Sequence, residues 1–207
     1  MTVVQPSKIV CVGRNYVAHA RELGNATPTE PLLFFKPPSS LIGTGDTIVM
    51  PAVSRQVEYE SELGVVIGKR ARKVAEPEAM LHVRGFVCAN DVTCRDLQKT
   101  DGQWARAKGF DTFCAVGPVV AERLDWRTLE VVGRLNGVER QRGRTSDMLF
   151  GVPRLIEYIS HIMTLEEGDL ILTGTPEGVG PVHPGDVVEV EIEGIGVLRN
   201  PVSGDTP

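Results

Sequence analysis

The sequence predicts an α+β fold in which strands dominate and helices are few. Three observations carry this. Glycine (22 residues) and proline (14) are frequent while aromatics make up only 5% of the chain, so turns are plentiful and large helix-packing side chains scarce. Short apolar runs end abruptly on turn residues. Only one long stretch, after Ser146, shows clear helical periodicity.

The elements follow in order. Residues 8–12 read as a strand ending at Gly13, residues 32–36 as another stopped by Pro37 and Pro38, and residues 47–50 as a third. Residues 56–69 begin as an alternating pattern and become a nearly continuous apolar run, as in a strand that enters the core from a polar surface. Residues 85–90 form a further β-type run closed by Asp91, after which Thr93 is placed to cap a helix reaching Trp104. Asn136-Gly137 between two β-type runs predicts a two-residue hairpin, because both positions tolerate positive φ. Ser146 or Asp147 then starts a helix. Leu149, Val152, Leu155, Ile156, Ile159, Ile162 and Met163 form one apolar face, and Pro153 falls in its first turns. The segments 169–173 and 186–192 return to strands. No repeat or low-complexity linker interrupts the chain, so residues 1–207 are expected to form one domain.

Composition excludes several classes. No apolar run approaches the ~18 residues of a membrane span, and the first residues lack a signal-peptide pattern, so a cytoplasmic protein is expected. Net charge is −5, and the basic stretches 69–73 and 140–144 are short, which disfavours nucleic acid and suggests solvated strand ends or turns. Cys11, Cys88, Cys94 and Cys114 have no metal-ribbon spacing and are expected to be reduced and buried.

Two constellations carry chemistry. Glu60 and Glu62 stand two apart in a predicted strand and share a face, with Glu58 at the same parity, while Tyr59, Ser61, Leu63, Val65 and Ile67 point the other way. Like charges on one face repel, and a divalent cation would relieve this. Hard oxygen ligands suit Mg²⁺, Mn²⁺ or Ca²⁺, and Asp91 is the natural third ligand. A solvated acidic strand face explains the same spacing. In the second constellation, His19 and Glu22 would face the same way on a helix and could form a general-base pair, or merely a surface hydrogen bond. Gly24 and Thr27-Pro28 would make that helix a lid. Lys36 and Lys108 could bind a substrate carboxylate. The glycine-rich segment 173–180 lacks the Lys-Ser/Thr of a phosphate loop and reads as a turn whose N–H groups meet an anion.

Taken together, Gly13-Arg14-Asn15-Tyr16 with His19 and Glu22, Phe35-Lys36-Pro37, Tyr59-Glu60-Ser61-Glu62-Leu63-Gly64, Asn90-Asp91-Val92-Thr93-Cys94-Arg95-Asp96, Lys108-Gly109-Phe110-Asp111-Thr112 and Thr173-Gly174-Thr175-Pro176-Glu177-Gly178 resemble the fumarylacetoacetate hydrolase family, in the same order along the chain. The likeness is to its short branch of acylpyruvate hydrolases and oxaloacetate decarboxylases. It implies a mixed β-roll, a homodimer, and Mg²⁺ or Mn²⁺ held by Glu60, Glu62 and Asp91. His19 and Glu22 would activate water, with Lys108 near the metal. Arg14, Lys36, Gln98 and Thr175 fall where relatives contact substrate, and Glu58 has no fixed role. The large N-terminal domain of the eukaryotic fumarylacetoacetases has no counterpart, which argues against fumarylacetoacetate as substrate. The implied reaction is hydrolysis of an acylpyruvate such as acetylpyruvate or fumarylpyruvate. Oxaloacetate decarboxylation or tautomerisation, or isomerisation of 2-hydroxyhepta-2,4-diene-1,7-dioate, uses the same chemistry. A non-catalytic scaffold is disfavoured because every expected site position is filled.

Overall fold

The computed structural model describes residues 5–24, 26–118 and 124–205. A seven-stranded mixed sheet runs in the order β2 (Leu32–Lys36), β1 (Ile9–Gly13), β12 (Leu170–Leu172), β6 (Ser61–Ile67), β7 (Val83–Asp91), β9 (Cys114–Val116) and β3 (Leu41–Ile42). A five-stranded sheet has the order β11 (Val138–Arg144), β10 (Glu130–Leu135), β14 (Val187–Ile192), β15 (Gly196–Gly204) and β4 (Ile48–Met50). A small third sheet joins β13 (Gly180–Pro181), β5 (Val57–Tyr59) and β8 (Thr93–Cys94). Among the described residues, four α-helices accompany the sheets: α1 (Val17–Glu22), α2 (Arg95–Thr100), α3 (Ala105–Lys108) and α4 (Val152–Ile162). None is long and apolar enough to cross a membrane.

The central strands are covered on both faces, which is why they read as apolar runs rather than clean alternations. Val10, Val12, Leu63, Val65 and Ile67 enter one core cluster, shared with β10, β14 and α4. Ile9, Cys11, Val66, Val87 and Leu170 enter another. Leu155, Ile156 and Ile159 of α4 are 0% exposed, each worth about 1.5–3 kcal/mol of apolar transfer. All four cysteines are free and buried, as expected. The predicted hairpin is present, with Asn136 at φ 54° and Gly137 at φ 76° between β10 and β11.

Three expectations are corrected. The run 56–69 is two strands, not one. It breaks at Glu60, whose N–H donates to Asn90 Oδ1 (3.0 Å) and whose carbonyl accepts from Asp91 N (2.9 Å), so β5 joins the small sheet and β6 the large one. The helix expected from Thr93 to Trp104 is only the short α2, and α3 begins after Trp104. Thr93 pairs with Glu58 across a strand instead of capping, and extended Asp101 ends α2. The helix expected from Ser146 starts only at Val152, after Gly151. Asn15 explains the delay: its carbonyl accepts from Leu149 N (2.8 Å) and its side chain binds both the N–H and the carbonyl of Phe150, holding 149–150 against the turn after β1. Residues 140–144 are the end of edge strand β11, one of the two forms the sequence allowed.

Candidate functional site

The break at Glu60 creates the site. It sits at the corner where β5 leaves β6, beside the end of β7, and these strands bring Glu60, Glu62 and Asp91 together. One carboxylate oxygen from each lies within 4.8 Å of the others, and all three side chains are buried. Burial, then the charges of Asp91 and Glu60, push the Glu62 carboxyl well above the usual carboxylate range, and the Gly174 N–H donating to Glu62 Oε2 (2.7 Å) only partly offsets this. Burial also disfavours charge on Glu60, but Lys108, Arg95 and His19 outweigh it and hold that carboxyl far below its ordinary value.

Three cations answer these charges. Lys108 Nζ donates to Glu60 Oε2 (2.7 Å) and Asp91 Oδ2 (2.8 Å). Arg95 donates to Glu60 Oε1 (2.6 Å), Glu58 Oε2 (2.8 Å) and Gln98 Oε1 (2.6 Å). Glu58 is therefore neither exposed nor part of the triad; it is the buried counter-charge of Arg95. Lys36, expected at the substrate, lies behind Asp91 with a fully buried side chain. Its Nζ is 2.5 Å from Asp91 Oδ1, yet its hydrogen bonds go to the carbonyls of Val92 (3.0 Å) and Lys108 (2.7 Å). Asp91 Oδ1 therefore faces the Lys36 ammonium as one half of a fully buried ion pair. Three converging buried carboxylates, an all-oxygen donor set, fit a hard divalent cation.

The second constellation faces the same cleft. His19, buried on α1, has Nδ1 3.3 Å from Glu22 Oε2. Glu22 is anchored in turn: the Gly178 N–H donates to both its oxygens (3.0 and 3.2 Å). Tyr59 donates to the Gly178 carbonyl (3.1 Å), and burial pushes its phenol up to about 12, so it stays protonated near neutrality. The glycine-rich segment thus meets anions of the protein itself, Glu22 through Gly178 and Glu62 through Gly174. Thr175 donates to the Ser61 carbonyl (2.9 Å) and accepts from Gln141 (2.8 Å), so its hydroxyl is already engaged. Gly178 has φ 95°, and a Cβ there would lie 2.1 Å from the Arg140 carbonyl oxygen. Gly178→Ala is expected to displace this loop, release Glu22 and lower turnover at least ~10-fold, read from steady-state kinetics alongside an unchanged far-UV CD spectrum.

A cleft of about 220 Å³ opens over the carboxylates, lined among others by Arg14, His19, Gln98, Trp104, Lys108 and Thr175. The sequence reading gave no role to Arg95, Phe34, Leu23, Lys99 or Trp104, which also form its wall. Arg95 had a usable signal: a cation four residues after a candidate ligand, at a helix start. The aromatic wall had none, since Phe34 and Trp104 look like ordinary core residues.

A family model described as fumarylacetoacetate (FAA) hydrolase C-terminal matches residues 8–203. The chain belongs to this family. A protein named mitochondrial oxaloacetate tautomerase FAHD1, from Arabidopsis thaliana, is 50% identical over 201 residues, covering 94% of this chain and 90% of that relative. The solved structure of 2-hydroxyhepta-2,4-diene-1,7-dioate isomerase from Mycobacterium marinum matches with a TM-score of 0.91 and 45% identity, over 99% of this chain and 77% of that one. Fumarylpyruvate hydrolase from Pseudomonas aeruginosa, in complex with Mn²⁺ and pyruvate, matches with a TM-score of 0.91 and 32% identity, over 97% of this chain and 91% of that one. The family is thus one of enzymes, whose named members include a tautomerase, an isomerase and a hydrolase.

Proposed function

We propose that the protein is a divalent-metal-dependent enzyme acting on oxaloacetate, interconverting its keto and enol forms with decarboxylation as a side reaction. The supporting observation is the set of three buried carboxylates, one oxygen of each within 4.8 Å of the others, opening on a cleft whose wall carries His19. Glu60, Glu62 and Asp91 would hold Mg²⁺ or Mn²⁺, which supplies Lewis acidity toward the carboxylate and 2-oxo oxygens of a 2-oxo acid. His19, oriented by Glu22, moves the proton at C3. Lys108 stabilises negative charge developing on the 2-oxo oxygen, and α1 closes His19 over the cleft, limiting water.

Hydrolysis of acylpyruvates is the second reading, favoured by the His19–Glu22 pair, which could equally activate water. Sequence motifs alone placed it first. The order changes because a relative named for oxaloacetate is 50% identical, whereas the fumarylpyruvate hydrolase is 32% identical.

The test is a side-by-side assay of enol–keto oxaloacetate exchange, pyruvate release from oxaloacetate, and cleavage of acetylpyruvate and fumarylpyruvate, with Mn²⁺ and with excess chelator. Exchange is expected to dominate and to vanish with chelator. His19→Asn should lower exchange about 100-fold or more while sparing most decarboxylation, which needs no proton removed at C3. Efficient acylpyruvate cleavage with no oxaloacetate exchange would replace the first reading by the second, and chelator-resistant exchange would sink the metal role.

A further inference from the structure

Strand β12 pairs with β6 only as far as Gly64, so Ser61 has no paired strand on that side. Two side chains take its backbone groups instead. The Ser61 N–H donates to Gln141 Oε1 (2.9 Å), and the Ser61 carbonyl accepts from the Thr175 hydroxyl (2.9 Å). Gln141 Nε2 closes the ring by donating to Thr175 Oγ1 (2.8 Å), and it also donates to the Pro176 carbonyl (2.8 Å). The acceptor and both donors of the amide are in use, which fixes the way it faces. A buried network satisfied in this way rigidifies the segments it joins.

Those segments are the two halves of the site. Ser61 lies between Glu60 and Glu62. Pro176 lies two residues before Gly178, whose N–H holds Glu22. Gln141 itself is not part of the cleft wall and makes no hydrogen bond to His19 or to the carboxylates. It is the one buried side chain of β11, between exposed Arg140 and Arg142. Gly133 stands opposite it in register, and the ladder then skips Arg140, a bulge of the kind that re-aims side chains near active sites. A Cβ on Gly133 would collide with Ser61 Oγ and stand 3.1 Å from Gln141 Oε1, so glycine leaves the space in which the ring closes. On the other side, α1 spans six residues, too few to hold a helix unaided, so it depends on anchors such as Glu22.

We propose that Gln141 is a positioning residue that sets both halves at once: the Glu60–Glu62 pair through Ser61, and the His19–Glu22 pair through the loop from Pro176 to Gly178. The first half of this assignment rests on reading Glu60, Glu62 and Asp91 as metal ligands; the second does not. The test uses the full-length protein with Mn²⁺ alone and no substrate. Mn²⁺ affinity is measured by calorimetry, and amide hydrogen exchange at Ala20, Leu23 and Gly178 by NMR on the metal-free protein.

Gln141→Met keeps the length of the side chain and removes its three hydrogen bonds. It should weaken Mn²⁺ about 10-fold, the scale on which outer-sphere partners of metal sites act. It should also speed exchange at the three amides about 10-fold, as expected when a helix loses one anchoring hydrogen bond. Gly133→Ala keeps every hydrogen-bonding group but fills the space of the ring, and should move both readouts the same way; it decides the matter if Gln141→Met does not fold. Gly133→Ala/Ser61→Ala removes the oxygen that the new methyl meets and should recover part of both losses. Ile159→Val, a core truncation on α4, should lower the melting temperature and leave both readouts unchanged. A lower melting temperature with neither readout moved, movement of one readout only, or equal movement in Ile159→Val would overturn the assignment. Failure of the wild type to bind Mn²⁺ would sink the metal reading and with it the Glu60–Glu62 half. Tight wild-type binding that Gln141→Met and Gly133→Ala leave unchanged would sink this assignment alone.

Discussion

Glu62→Gln is expected to abolish metal-dependent turnover while leaving the metal-free protein at least as stable as the wild type. Glu62 differs from its two partners in its surroundings. Glu60 and Asp91 are each contacted by cations, whereas among the described residues the one hydrogen bond to the Glu62 carboxylate comes from the Gly174 N–H. Without a cation, its charge is buried beside two like charges, an unfavourable arrangement. Glutamine keeps the shape and an acceptor for Gly174, and its amide hydrogens face carboxylates within 4.8 Å. Stability and function then move in opposite directions, as they do where a site is built for a ligand rather than for the fold. Loss of an outer-sphere partner already costs 10–100-fold at metal sites, so loss of a ligand should cost more than about 100-fold in activity. Thermal unfolding with and without Mn²⁺ supplies the independent readout. At a metal concentration of 100 times Kd the wild type gains about 2.7 kcal/mol, and the variant should gain almost nothing. A variant that keeps the full metal-induced shift would remove Glu62 from the ligand set.

The parts of this site visible in the sequence are those set by local periodicity. Glu60 and Glu62 line the same cleft because two residues separate positions of like parity, and His19 reaches Glu22 because three residues bring neighbours together on a helix turn. The hairpin at Asn136-Gly137 was legible for the same reason, since a two-residue turn writes its φ requirement into its residue types. What stayed hidden depends on contacts between distant segments. No local rule reveals that Asn90 would capture the Glu60 N–H and break the strand, or that Asn15 would delay α4 by holding Phe150. Glu58 shows the limit most directly. It shares parity with Glu60 and Glu62, yet it pairs with Arg95, a residue 37 positions away, and stays outside the carboxylate triad.

Lys36 gives the sharpest contrast between the two levels, and Lys36→Met is expected to destabilise the fold by about 3–5 kcal/mol. A lysine ending an apolar strand before two prolines looks, in sequence, like a cation free to meet substrate. In the structure its ammonium is enclosed between Asp91 and the carbonyls of Val92 and Lys108, with 0% side-chain exposure. Removing it leaves two carbonyls without a donor and leaves Asp91 with Lys108 as its remaining cation. Methionine fills the space without replacing the charge. Asp91→Asn should by itself cost less, because the amide no longer needs neutralising. The double variant Lys36→Met/Asp91→Asn should therefore be more stable than the sum of the two single losses allows, by at least about 1 kcal/mol of coupling. Urea denaturation of all four proteins in the absence of metal measures this directly. A substrate contact would behave differently, raising KM while leaving the denaturation midpoint unchanged. That outcome would return Lys36 to the cleft wall. The expected one makes it an internal counter-charge, through which strand β2 holds Asp91 in place before any metal arrives.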